Sequence, residues 1–178
     1  MNLDQLRKIF PLAGAKAAVF LEPLNRAMVE FEINTPMRQV AFLAQIGHES
    51  AQLFYVQELA SGAAYEGRAD LGNTQKGDGI RFKGRGLIQI TGRANYVAAM
   101  LALDVDCVEH PEVLEQPELA ARSAAWFWKT HGLNELADDQ LFTEITKRIN
   151  GGLNGQQDRL ALYAAARIVL INNGGKDV

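Results

Sequence analysis

Cysteine occurs once among the 178 residues, as Cys107, so no disulfide can close within the chain, and a lone thiol suits a reducing compartment. Set between Leu103 and Val108, it reads as small apolar filler rather than as a nucleophile. No run of 18 apolar residues is present, which leaves no membrane-spanning helix. The opening MNLDQLRKIF places Asp4 and other polar residues where a secretory leader needs a basic start and an apolar core. The chain is therefore expected to stay in the compartment that makes it. Positive charge is not in excess: 18 Lys and Arg against 21 Asp and Glu give a net charge of −3, which excludes a basic footprint for nucleic acid. The three histidines, His48, His110 and His131, do not cluster with cysteines or acids at ligand spacing, so no metal or other cofactor is expected. No repeat or low-complexity tract is present either.

What remains is the composition of one globular domain over residues 1–178, 48% hydrophobic, with material for a real core. Helical spacing dominates. Leu3, Leu6, Ile9 and Phe10 form a stripe that Pro11 stops, and a second stripe over residues 15–31 should bend or divide at Pro23. Thr35-Pro36 is a start signal, a capping residue followed by proline at the first helical position. The helix it opens runs through Met37, Val40, Leu43, Ala44 and Gly47, with Glu49 in its last turn. Later helices are expected over residues 92–102, 117–130 and 141–149. A last one follows Gln156, with Leu160, Ala161, Ala164, Ile168 and Ile171 facing inward.

The candidate chemistry sits in residues 41–58 and 84–96. A carboxyl at a helix C-terminus meets the negative end of the dipole, and in a partly dry site it keeps its proton more readily, as a general acid requires. Glu49 fits that description; it equally fits a structural ion pair with a cation such as Arg85. Glu58 follows nine positions later, half a turn out of phase and about 13.5 Å along a continuous helix. The two acids can share a site only if the helix breaks between Ser50 and Glu58. Otherwise Glu58 is a solvated surface acid while Phe54, Tyr55 and Val56 cover the core. Gln89 and Thr91 share one strand face, Thr91 reads as the cap of the next helix, and Asn95 lies one turn into it. Two carboxylates beside such a neutral shelf suit acid/base cleavage of a sugar–sugar bond, and a capped, solvated junction accounts for the shelf equally well.

Residues 61–81 form a long loop rich in glycine, and loops of that length are commonly functional. Glu66 lies within it as a rival second acid, with pairing to Arg68 or Arg85 as the structural alternative. Asp78-Gly79 reads as a hairpin turn. Arg81, Lys83 and Arg85 alternate with Ile80, Phe82 and Gly84 in a strand pattern that sets three cations on one face, able to hold an anionic polymer or to orient the acids. Trp126 and Trp128 are either sugar platforms or core. Asn150 and Arg159 taken alone are a turn residue and a helix-start cation.

Together, His48-Glu49-Ser50, GRGLIQITGRANY at residues 84–96 and the turn at residues 148–152 resemble glycoside hydrolase family 19 over residues 35–170. Residues 65–74 resemble its bacteriophage and prophage lysin branch rather than the plant chitinases. The resemblance implies a mainly α, lysozyme-like fold, two helical lobes around a cleft with a small β-hairpin. It implies that Glu49 is the general acid, Glu58 the base that activates water, and that Thr91 helps hold that water. Gln89, Asn95, Asn150 and Tyr65 would bind substrate, and Arg159 would support the acids, with Glu66 as the alternative acid. Inversion of configuration would require carboxylates about 6.5–9.5 Å apart. The cysteines and several loops of the plant members are missing. The expected protein is a monomeric, cofactor-free endolysin that cleaves β-1,4 bonds of bacterial peptidoglycan from the host cytoplasm through a holin-type pore. It would act without membrane insertion and without a separate wall-binding domain. A chitinase is the first alternative, and an inactive wall-binding protein the alternative of another class.

Overall fold

The computed structural model describes residues 1–172 and is built mostly of helices. In chain order these are α1 (Leu3–Ile9), α2 (Lys16–Glu30), α3 (Pro36–Glu49), α4 (Asp78–Arg81), α5 (Arg93–Leu103), α6 (Pro117–Thr130), α7 (Leu133–Asp138), α8 (Phe142–Asn150) and α9 (Gln156–Arg167). Among the described residues the expected hairpin is reduced to two isolated bridges, Gln57 with Arg85 and Arg85 with Ile90.

Helix α3 is the axis of the larger core. Thr35 Oγ1 accepts from Arg38 N at 3.3 Å, Pro36 starts the first turn, and every residue from Val40 to Gly47 is buried. Burial on all sides marks a central helix, which α9 packs against directly. Gly47 gives room to both neighbours of α3: a Cβ there would stand 2.5 Å from the Phe10 ring after α1 and 3.2 Å from Leu162 of α9. Helix α6 is shared between two clusters. Its Ala120, Ala121, Ala124, Ala125 and Trp128 belong to the larger core, its Leu119 and Trp126 pack on a smaller cluster of Phe82, Ile90, Tyr96, Ala99, Leu103, Cys107 and Leu114, and its Phe127 packs on both. Trp128 is fully buried, edge-on to Phe42 at 5.4 Å, and donates from Nε1 to Asn134 Oδ1 at 3.0 Å. Cys107 is the apolar filler its neighbours suggested, and burial pushes its thiol up to about 11.

Several sequence expectations are corrected. Helix α2 is not divided at Pro23 but continues through it as one helix. The proline costs about 3 kcal/mol or more, but Phe20 and Leu24 beside it are buried, and each such side chain contributes about 1.5–3 kcal/mol. Asp78-Gly79 opens the short helix α4 rather than a hairpin turn. Arg81, Lys83 and Arg85 do not form a cationic strand face. Arg81 ends α4 and holds the Val108 carbonyl at 2.9 Å, Lys83 donates to the Glu58 carbonyl at 3.3 Å, and Arg85 is buried against Glu115 at 2.7 Å and the Tyr96 hydroxyl at 3.0 Å. Thr91 is not a helix cap, because Gly92 takes that place with φ of 90° and Thr91 Oγ1 donates to the Gln89 carbonyl at 3.3 Å. The inward face of α9 is Arg159, Leu162 and Ala166, continued by Val169, whereas Leu160 and Ile168 are about half exposed.

Candidate active site

Glu49 closes α3 with its side chain 23% exposed. Its Oε1 accepts from Arg159 Nη2 at 2.5 Å, and among the described residues no side chain engages Oε2. Arg159 is itself 1% exposed and reaches Gln45 Oε1 and the Asn154 carbonyl. Gln45, wholly buried, completes the set by donating to Thr146 Oγ1 at 2.9 Å. The partner of Glu49 is therefore Arg159, not Arg85. A second rung lies one residue back on both helices, His48 Nδ1 with Asp158 Oδ2 at 2.6 Å. Buried charges persist only when paired and hydrogen-bonded. This double rung fixes where the Glu49 carboxyl stands, with one oxygen held and the other open.

The helix does break between the acids. Ala51, Gln52 and Leu53 take left-handed φ values of 48°, 57° and 72°, a conformation that costs about 1–2 kcal/mol per non-glycine residue. Ser50 Oγ offsets the strain by donating to the Ile46 carbonyl at 2.6 Å and accepting from Leu53 N at 2.8 Å, and Leu53 is wholly buried. Phe54, 59% exposed, and Tyr55, 37% exposed, do not cover the core. The chain then lies along residues 84–86, with Glu58 N donating to the Gly84 carbonyl at 2.9 Å and Gly86 N to the Val56 carbonyl at 2.9 Å. Both oxygens of Glu58 are engaged, Oε1 by the Tyr65 hydroxyl at 3.0 Å and Oε2 by Gly84 N at 3.1 Å. Glu58 is thus held in place rather than solvated at random.

Gly84 also links Glu58 to the neutral shelf, because a Cβ at Gly84 would stand 2.7 Å from Gln89 Oε1. Gln89, Thr91 and Asn95 line one pocket together with Leu71, Ile90, Trp126, Phe127 and His131. Asn95 Nδ2 donates to the Thr91 carbonyl at 2.7 Å. Trp126 is therefore the tryptophan available to a sugar and Trp128 the core residue. His131 stacks on Phe127 at 3.7 Å, and its Nδ1 lies 2.8 Å from the Phe127 carbonyl. The nitrogen facing a carbonyl is the one that carries hydrogen, so neutral His131 keeps Nε2 as an acceptor.

Asn150 ends α8, and its Nδ2 is buried without a partner among the described residues. Glu66 is tied into the loop: its oxygens accept from Gly77 N at 2.7 Å and Gly79 N at 2.9 Å, and those amides hold its carboxyl below the usual range. Neither expected Glu66 ion pair forms, since Arg68 binds Asp70 and Arg85 binds Glu115. Sequence reasoning missed Gln45, His48, Asp158 and His131. The signal for Gln45 was available, because an amide at the centre of an apolar helix must find a partner inside.

The model of glycoside hydrolase family 19, described as chitinase class I, matches residues 32–144. The chain belongs to glycoside hydrolase family 19. It is 34% identical over 163 residues to a glycosyl hydrolase family 19 domain-containing protein of Haemophilus influenzae, covering 74% of this chain and 80% of that one. It is 37% identical over 119 residues to an endochitinase of Arabidopsis thaliana, where it spans 66% of its own length and 40% of the plant protein. Its fold superposes on a bacterial family 19 chitinase with a TM-score of 0.77 at 25% identity, covering 96% and 94% of the two chains. Chitinase C from Streptomyces griseus gives 0.77 at 22% identity, covering 95% and 76%. As a family 19 member the chain is a glycoside hydrolase, a chitinase-like enzyme acting on a glycan. The family match ends before Asn150 and Arg159; the contact of Arg159 with Glu49 brings that residue into the site on geometric grounds.

Proposed function

We propose that the chain hydrolyses the β-1,4 bonds of bacterial peptidoglycan with inversion, as a monomeric endolysin of the bacteriophage or prophage branch. The observation that carries the reaction is the unequal treatment of the two carboxyls: Glu49 has one oxygen tied to Arg159 and one open, and Glu58 has both oxygens tied. The open oxygen of protonated Glu49 gives its proton to the glycosidic oxygen as the bond to the anomeric carbon breaks. Glu58 takes a proton from the water that attacks the opposite face, and Thr91 helps hold that water. Gln89 and Asn95 bind the sugars on the shelf, with Trp126 as an apolar platform and the unpartnered Asn150 amide as a further donor. An inverting pair stands about 6.5–9.5 Å apart to admit the water.

For the polymer, support comes from the likeness of residues 65–74 to lysins; the cationic strand face, which would have favoured an anionic glycan, does not form. Accumulation in the host cytoplasm and release through a holin-type pore belong to the same reading. The chitinase names of the plant and Streptomyces proteins favour a second reading, in which the polymer is chitin. Purified peptidoglycan and colloidal chitin, digested in parallel with mass analysis of the new reducing ends, decide between them. Muramic acid reducing ends are expected. Rapid chitin cleavage with inert walls overturns the choice of polymer.

A further inference from the structure

The loop between the two halves of the site is braced by bonds that lead to one side chain. Glu66 ties its far end, accepting from Gly77 N and Gly79 N. Asp78, 1% exposed, takes the Arg93 guanidinium at 2.5 Å and Gln75 N at 3.0 Å, which anchors the loop to the start of α5. Asn73, wholly buried, accepts from Arg93 N at 2.8 Å and donates to the Tyr65 carbonyl at 2.9 Å. The loop closes tightly on itself, since a Cβ at Gly79 would stand 2.5 Å from Glu66 N. Tyr65 is thereby fixed through its main chain at both N, bonded to the Gly62 carbonyl at 2.9 Å, and O. Its hydroxyl is left to meet Glu58 Oε1 at 3.0 Å.

We propose that this loop is an arm that sets the Tyr65 hydroxyl on Glu58, and that Tyr65 is a positioning residue for the base rather than a sugar ligand. The inference rests on the reading of Glu58 as the base. A glutamate side chain has three rotatable bonds, and one donor fixes only one oxygen. With Tyr65 on Oε1 and Gly84 N on Oε2, the plane of the carboxylate is set, and with it the direction from which a water can be deprotonated. Orientation of this kind carries a large share of a rate enhancement. Burial, and then the Glu58 carboxylate, hold the Tyr65 phenol above its ordinary range, so it remains a donor throughout neutral pH.

Tyr65→Phe tests the arm, because phenylalanine keeps the ring and every main-chain bond. Steady-state rates on soluble wall fragments and on chitin oligosaccharides should show kcat reduced about 10-fold, the range for a hydrogen bond to a charged group, with KM and thermal midpoint unchanged. In a Glu58→Gln background, whose residual rate is measured first, the same change should cost nothing further. A raised KM at constant kcat would make Tyr65 a sugar ligand, and an unchanged kcat would remove its role altogether. If Glu58→Gln keeps full activity, the base itself is misassigned; if Glu58→Gln is inactive while Tyr65→Phe is fully active, the arm alone fails. Gly79→Ala gives an independent route should Tyr65→Phe not fold. It shifts the loop without touching the hydroxyl, and a folded Gly79→Ala variant with wild-type kcat also overturns the proposal.

Discussion

The two acids stand nine residues apart in settings of opposite kind. Glu49 belongs to the helical core, where α3 and α9 lock its neighbour Arg159 among Gln45, Thr146 and the Asn154 carbonyl. Glu58 belongs to extended chain and is held from outside, by the Gly84 amide and by a phenol delivered on a braced loop. One carboxyl is positioned by a buried cation held between packed helices and the other by neutral donors from outside the core. Damage to the first is therefore expected to appear as lost stability together with lost rate. Loss of the phenol that touches the second is expected to appear as lost rate alone.

The largest expected effect comes from Glu49→Gln, which keeps the shape and removes the proton: turnover should fall by roughly 10²–10⁴-fold, measured as reducing ends released from purified walls and from chitin. A variant that clears walls like the wild type would remove Glu49 from catalysis and leave a protein that works by binding. Arg159→Ala leaves Gln45 and Glu49 without their cation and should lower stability by about 3–5 kcal/mol in urea unfolding; a loss no larger than that of Tyr65→Phe would abolish the contrast between the two settings. Ser50→Ala removes the hydroxyl that offsets the left-handed turn and should cost about 1–3 kcal/mol, since Ser50 is buried and bonded on both sides. The loop carries its own pH signature. The Arg93 guanidinium holds the Asp78 carboxyl below its ordinary value, so this group adds stability that is present above about pH 4 and lost as pH falls below it. The thermal midpoint should drop below that pH, and Asp78→Asn should flatten the drop. The smallest change in rate is expected of Glu66→Gln, which loosens the loop's far anchor without removing it: the thermal midpoint falls, and kcat falls by less than in Tyr65→Phe. A stable Glu66→Gln variant without activity would move the base from Glu58 to Glu66.

The helices were legible wherever an end signal and a stripe agreed. Thr35-Pro36 opens α3, and α6 spans the residues its pattern indicated, from Pro117 to Thr130. Reading failed where a polar residue turned inward. In α9 the face with Arg159 looks solvated in sequence, and periodicity alone points Leu160, Ala161, Ala164, Ile168 and Ile171 inward. The guanidinium instead lies buried on Glu49 and carries Leu162, Ala166 and Val169 inward with it. The alternation of Arg81, Lys83 and Arg85 is a valid strand period, but Arg85 is drawn under by Glu115 and Tyr96. Of the proposed site, Glu49, Gln89, Thr91 and Asn95 could be named from motif alone. The choice of Glu58 over Glu66 could not, because both are exposed-looking glutamates beside glycine-rich chain.

Local patterning was sufficient for a helical hydrolase with an acid at the end of its central helix, because caps, periodicity and short motifs act over a few residues. The identity of each carboxyl's partner was decided only on folding. Arg159 reaches Glu49 across 110 positions of chain and Gly84 reaches Glu58 across 26, separations over which no spacing in the sequence says which cation or amide will arrive.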